Sequence, residues 1–469
     1  MPKAEGTKID DTHVRTMIGA VLDLDHEDSR YFYVKLYEEP AESAAQAAAM
    51  EPALAPPPPA PAASTPIASA EGVTLSDFGD GLPTSGQWRE GFGVGDVNGD
   101  GHPDLVFPPA RKGPGPPAIF LGDGAGHWKR WREARYPPLS YDYGDAQVAD
   151  LNGDGIADIA LAMHFKGIAV LLGDGKGSFR SGGEGLDFVT PGGGLPAFSA
   201  RALRLVDWQG KGRPDILTIG EGPALGGSRP GVVRVSGIVR YENLGDGRWR
   251  RQVGKSQLNP PVATSLAIGD FNGDGRPDLA FATAVLGSPE ILAFGTADGG
   301  WVTGTVDSLP ANGYLRSIGA ADFDRDGVDD IVVAAEYERE GVYSPRLDVF
   351  LSREHGKSWA IHPLAIDESV AAVAAGPLRG GGAPADIVAL TSSGKLLIFW
   401  GDAHGSFSRL PISFPGVGCA PSSVQLADLD GDGLNEIIAT FGEEGEEPAR
   451  CPSRGRVLAL KLSSTQHSH

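Results

Sequence analysis

The sequence predicts an all-β fold, a seven-bladed β-propeller with four-stranded blades, and three observations carry that prediction. The stretch GDFNGDGRPDLAF at residues 269–281 recurs in near-copies that start at Asp96, Asp150, Asp207, Asp270, Asp322, Pro377 and Asp428. The starts are 51 to 63 residues apart, and a period of that size holding four short strands is that of a propeller blade. Each well-kept copy runs into a wholly apolar segment, such as Leu279-Ala280-Phe281, as a strand buried on both faces requires.

Taken in order, residues 1–40 form a small N-terminal segment, with strand-like composition over 30–37 and a short helix or strand over 9–24. Residues 41–70 are rich in Ala and Pro and read as an extended, semi-rigid spacer. The propeller occupies residues 71–469. In each unit strand A enters the loop (265–269 in the fourth unit) and strand B leaves it (279–283). Strand C ends in a second turn, as in FLGDGAGHW or LLGDGKGSF, and strand D opens on an aromatic: Trp128, Phe179, Trp249, Trp301, Trp359 or Phe407. The GDG turns lack alternating acids and read as hairpin turns. The seventh unit runs out after its third strand, 456–462. Residues 72–78 are expected to supply the fourth, closing the ring and removing exposed sheet edges.

The A–B loop carries side-chain oxygens at alternate positions. From Asp270 these are Asp270, Asn272 and Asp274, then a backbone carbonyl at Arg276, then Asp278. Calcium takes roughly six to eight oxygens at about 2.3–2.6 Å, and Gly273 and Gly275 suit the positive φ angles of so tight a curl. The other intact loops offer Asp96, Asn98, Asp100, His102 and Asp104; Asp150, Asn152, Asp154, Ile156 and Asp158; Asp322, Asp324, Asp326, Val328 and Asp330; and Asp428, Asp430, Asp432, Leu434 and Glu436. In each set the fourth residue serves through its carbonyl, so about five Ca²⁺ ions are expected.

An EF-hand would need a bidentate Glu at position 12. That place holds Phe107, Leu161, Phe281, Val333 or Ala439, which excludes helix-loop-helix geometry. Two further copies have lost ligands. DWQGKGRPD, from Asp207, has Gln209 and Lys211 at positions 3 and 5, where the ammonium can stand in for an ion; PLRGGGAPAD, from Pro377, reads as a bare turn. Position 2 is apolar in all seven copies, so the scaffold persists where the metal set does not.

The formal charge of −21 argues against nucleic acid as a partner. Part of it is local, because the five intact loops hold 17 acidic ligands; a chelator is expected to leave those carboxylates crowded and the fold destabilised. No apolar run is long enough to span a membrane. Loops this open fill at extracellular calcium levels, so an extracellular, periplasmic or cell-surface location is expected. The N-terminus lacks a signal-peptide apolar region, which implies either a different native start or another export route.

The D-x-[DN]-x-D-G-x-x-D loop, the apolar strand after it and the GDG-aromatic turn resemble the FG-GAP or VCBS repeats of integrin α-subunit propellers and bacterial secreted propellers. The resemblance covers about residues 71–465. It implies a calcium-bearing propeller and leaves function open, since that family includes adhesion proteins, lectins and some polysaccharide lyases.

In an A-B-C-D blade the A–B and C–D turns share one face, and the B–C and D–A connections share the other. Cys419 falls in the D–A connection entering blade seven and Cys451 in its B–C connection. A disulfide between them is expected, two unpaired thiols being the alternative, and it would favour an oxidising compartment. Tyr136, Tyr141, Tyr143, Phe198, Arg201, Tyr314, Arg316, Tyr337, Arg339 and Tyr343 gather on these connections. They read either as anchors for a protein or sugar or as covers for blade edges.

No nucleophile elbow, H-E-x-x-H, P-loop or dinucleotide fingerprint occurs, so no enzyme is expected. The leading expectation is a binding, adhesion or assembly module that meets a protein partner through the loop face. A lectin is the alternative, and a polysaccharide lyase ranks third.

Overall fold

The computed structural model describes residues 66–70, 72–88, 91–110, 115–188, 199–221, 236–253, 263–283, 290–306, 313–380, 382–412, 419–442 and 455–464, with single positions at 309, 414, 417 and 451. All belong to one compact unit, Ser64–Ala224 with Gly231–His469. The expected segment 1–40 and the spacer up to residue 65 lie outside the described residues.

The described strands form seven antiparallel sheets, and no helix occurs among the described residues. Strands A to D of blade one are Gly93–Gly95, Asp104–Phe107, Ala118–Gly122 and Trp128–Arg130; those of blade two are Gly144–Ala149, Asp158–Met163, Gly167–Gly173 and Phe179–Ser181. Blade three has Leu203–Val206, Asp215–Glu221, Ser236–Gly245 and Arg248–Val253, and blade four has Ala263–Gly269, Asp278–Thr283, Glu290–Gly295 and Trp301–Thr305. Blade five has Gly313–Ala321, Asp330–Arg339, Val342–Arg353 and Ser358–Leu364, and blade six has Val370–Gly376, Asp386–Thr391, Leu396–Gly401 and Phe407–Arg409. Pro421–Ala427, Glu436–Gly442 and Gly455–Ser464 are strands A to C of blade seven, and Val73–Asp77 pairs with the last of them as its outer strand.

Pro66–Ala70, at the end of the run read as spacer, adds a fifth strand by pairing back on Val73–Asp77. Gly72 makes this turn possible, with φ of 78°.

The A–B register is the same in every blade. The acid at or next to position 9 pairs with the residue just before position 1, as in Gly95↔Asp104, Gly269↔Asp278 and Gly376↔Asp386. Strand B is therefore the buried strand; Asp158–Met163, Asp386–Thr391 and Glu436–Gly442 are buried at every residue.

Among the described residues seven apolar clusters make up the core, and each lies between two neighbouring blades. The position-2 residue of each loop (Val97, Leu151, Trp208, Phe271, Phe323, Leu378 and Leu429) is buried in the cluster facing the next blade. Leu429 faces blade one, in a cluster with Phe92, Leu105 and Phe107. Cys419 and Cys451 are bonded to each other and buried in the cluster between blades six and seven.

Candidate metal loops and loop face

Each intact loop is first a network of backbone bonds to its own acids. Asp96 accepts from Gly99 N at 2.7 Å and from Gly101 N at 2.8 Å, and Asp100 accepts from His102 N at 2.9 Å. Asp150 and Asp154 repeat this with Gly153, Gly155 and Ile156, and Asp270 and Asp274 with Gly275 and Arg276. Asn98 and Asn152 donate sideways to Asp100 and Asp154, while Asn272 Oδ1 accepts from Asp274 N. The Arg276 side chain also pairs with Asp274. The result is a curl whose acids are held close together before any ion is considered.

The acid at position 9 has a second duty. Asp104 accepts from Val97 N at 2.9 Å and from Gly122 N at 3.0 Å, so it ties the loop to strand C. Asp158, Asp278, Asp330 and Asp386 each take two backbone donors in the same way, and Glu436 takes Leu429 N. Burial, reinforced by the neighbouring loop acids, pushes Asp104, Asp278, Asp330 and Glu436 up to about 7 and Asp158 to about 6, against the pull of these bonds.

Two loops bring carboxylate oxygens within 4.8 Å of one another, Asp322 with Asp324 and Asp330, and Asp428 with Asp430 and Glu436. In blade five, Arg353 reaches Asp324 Oδ2 at 2.6 Å and Asp326 Oδ2 at 3.6 Å, while Asp322 Oδ1 and Asp324 Oδ1 are buried with no donor. Buried carboxylate oxygens without donors, grouped with Asp330, fit a divalent cation; Asp326, which Arg353 also meets, and Val328 are the remaining members of the expected set. In blade seven the same acids instead hold Lys461, which hydrogen-bonds Asp430 and Asp432.

The two copies that lost ligands are not empty turns. Lys211 reaches past the loop to Glu242 on strand C at 2.7 Å, and Arg250 binds the same carboxylate. Asp215, the position-9 acid, pairs with the fully buried Arg240 at 2.8 Å. PLRGGGAPAD is not bare: Arg379, at position 3, pairs with Asp386 and rests on the Trp400 ring at 4.7 Å. The loop is one residue longer there, so Asp386 falls at position 10 and accepts from Leu378 N across a separation of 8 instead of 7.

On the opposite face the expected anchor residues divide. Tyr136 stacks on Phe179 at 5.3 Å, Tyr143 is buried with its ring 4.7 Å from His164, and Tyr141 donates to Pro137 O at 2.8 Å. Burial raises the Tyr136 and Tyr141 phenols. Tyr337 is buried beneath Arg346. Tyr314 and Tyr343 form a stacked pair bridged by their hydroxyls at 3.2 Å, with Tyr343 44% exposed. Arg316 pairs with Glu336 at 2.9 Å and lines, with Arg201 and Arg204, an axial cavity of about 120 Å³. Arg339 is exposed, and Phe198 lies outside the described residues.

A larger groove of about 600 Å³ on this face brings the expected Tyr136 and Tyr143 together with residues that the sequence reading did not single out. Trp88, Phe107, Pro108, Pro109, Trp131 and Tyr136 line it, beside the exposed Arg130 and Arg132. Trp88 meets Phe107 edge to face at 5.0 Å. The available signal was WKRW at 128–131, a second tryptophan just beyond the one that opens strand D.

Comparison with known proteins agrees with this geometry. The FG-GAP-like repeat model matches residues 96–161, 150–218, 207–281 and 385–439, and the FG-GAP repeat model matches 314–344. No curated protein matches the chain. Among solved structures, the BP39L lectin from Burkholderia pseudomallei is similar at 14% identity, with a TM-score of 0.53 over 81% of this chain and 97% of that one. BBS1N, crystallised in complex with ARL6DN, is similar at 11% identity, with a TM-score of 0.47 over 84% of this chain and 97% of that one. With the repeat model spanning more than half of its residues and every matched segment lying on an A–B loop and its strands, the chain belongs to the FG-GAP-like repeat family.

Proposed function

We propose that the chain is a calcium-stabilised, non-catalytic extracellular module that binds a protein partner through its B–C and D–A loops. The groove beside Trp88 and Trp131 carries this reading. It joins rigid aromatic and proline surface to two exposed arginines, the composition of an interface anchor. It is also not repeated around the ring. The place of Trp131, three residues past the aromatic that opens strand D, holds Gly182, Gln252, Gly304, His362 and Leu410 in blades two to six. A sugar-binding propeller with equivalent sites between blades would repeat such a position.

The calcium reading is supported by the oxygen sets of the A–B loops and by the orphaned carboxylate oxygens of blade five. A non-catalytic role is supported by where the raised carboxyls of the A–B loops lie: they tie loops to strand C on the face opposite the groove, while the raised Asp145 on strand A of blade two is held by Arg204 and Leu203 N. The buried disulfide supports an oxidising compartment.

Affinity capture from the extracellular protein fraction, with Trp131→Ala as control, is expected to retain a protein on the unaltered chain alone. Saturable binding on a glycan array, lost in Trp131→Ala, would make the chain a lectin instead. Calcium titration of the metal-freed chain should find several sites, and no binding would remove calcium from the reading.

A further inference from the structure

The seventh loop carries a complete set of calcium ligands in its sequence, yet we infer that the Lys461 ammonium closes it in place of a metal ion. The chain then takes four calcium ions, although five loops carry the motif. The inference rests on the calcium reading of the other four loops.

Lys461 follows Leu460 on strand C, and Leu460 pairs with Ile437, the residue after Glu436. Its ammonium hydrogen-bonds Asp430, lies 2.7 Å from Asp432 Oδ2 and 3.5 Å from Glu436 Oε1. These are positions 3, 5 and 9, the carboxylates that one ion would have to draw together. The side chain is 25% exposed, and its ammonium stands 5.7 Å from the Phe78 ring, so the segment after the N-terminal strand screens it.

Blade five supplies the contrast. Arg353 touches only positions 3 and 5 there, leaving Asp322 Oδ1 and Asp324 Oδ1 buried and without donors. Among the described residues, no carboxylate oxygen of the seventh loop is left in that state.

Blade three supplies the precedent within the same chain. Glu242 follows Tyr241, and Tyr241 pairs with Ile216, the residue after Asp215. Glu242 thus holds the strand-C place that Lys461 holds in blade seven, and it takes the Lys211 ammonium at 2.7 Å. In blade three the loop contributes the cation and strand C the acid; in blade seven the two are exchanged. At this place blades one, two and five have Leu121, Leu172 and Leu351, which reach no carboxylate.

Calorimetric titration of the metal-freed full chain with Ca²⁺ tests the inference. Four sites are expected for the unaltered chain and five for Lys461→Leu, which restores the residue type of blades one, two and five. Should that variant fail to fold, Asp428→Asn gives an independent reading: it should leave the number at four, whereas Asp96→Asn should lower it to three. Five sites in the unaltered chain, four in a folded Lys461→Leu, or a site lost in Asp428→Asn would overturn the role of Lys461 and leave the calcium reading intact. No binding in any form would overturn both.

Discussion

At the scale of the residue, the acid that opens strand B is the most constrained group in the blade. It survives where the other ligands are lost, as Asp215 and Asp386, because it accepts backbone donors that join the loop to strand C. Without a metal, burial and neighbouring acids hold Asp104, Asp278, Asp330 and Glu436 up near 7. Their unfolded values lie at about 4. Between those values the folded chain keeps protons that the unfolded chain has released, so metal-free stability falls as pH rises from about 4 to 7. The melting temperature of the metal-freed protein is therefore expected to be lower at pH 8 than at pH 5, and added calcium should reduce the difference by taking the proton's place in the loops of Asp104, Asp278 and Asp330. A metal-free melting temperature that rises over this range would contradict the burial argument.

At the scale of the element, the A–B loop is a device for planting its second residue in the next blade. Phe323 is fully buried between blades five and six, and Phe271 and Leu429 do the same at their own boundaries. Strand C of the following blade bonds the same loop, through Ser352 Oγ to Phe271 O at 2.7 Å and Asn243 Nδ2 to Leu151 O at 2.8 Å. Phe323→Ala should cost about 3–5 kcal/mol in urea denaturation, the range for truncating a buried aromatic; a loss below about 1 kcal/mol would mean that the boundary is not tightly packed. The disulfide acts on blade seven, linking residues 32 apart in sequence. Chain entropy puts its contribution at about 3–4 kcal/mol, read as the shift in unfolding free energy on Cys419→Ser with Cys451→Ser. An unchanged unfolding free energy would show that the link is redundant with the cluster around it.

At the scale of the whole molecule, blade seven joins the two ends of the propeller. Its strands A to C come from residues 421–464 and its outer strand from Val73–Asp77, while Leu429, Ile438 and Ala459 pack on Phe92 and Leu105 of blade one. A chain beginning at Gly79 would leave Gly455–Ser464 as an open edge. Such a chain is expected to melt earlier and to aggregate in light scattering, and a truncated protein that stays monomeric and as stable would show the outer strand to be dispensable. The blade count, the A–B loops, strand B and the aromatic opening strand D were legible in the sequence because each depends on residues close together in the chain. The cations at Lys461, Arg240 and Arg379 were not, because their acids lie 25 to 31 residues away or depend on which way a side chain turns. The groove around Trp88 and Trp131 was hidden for the same reason, its walls coming from three separate connections. Local spacing determined the repeated framework; strand register and the packing of one blade on the next decided which loop acids are paired with a cation and where the repeats give way to the aromatic groove.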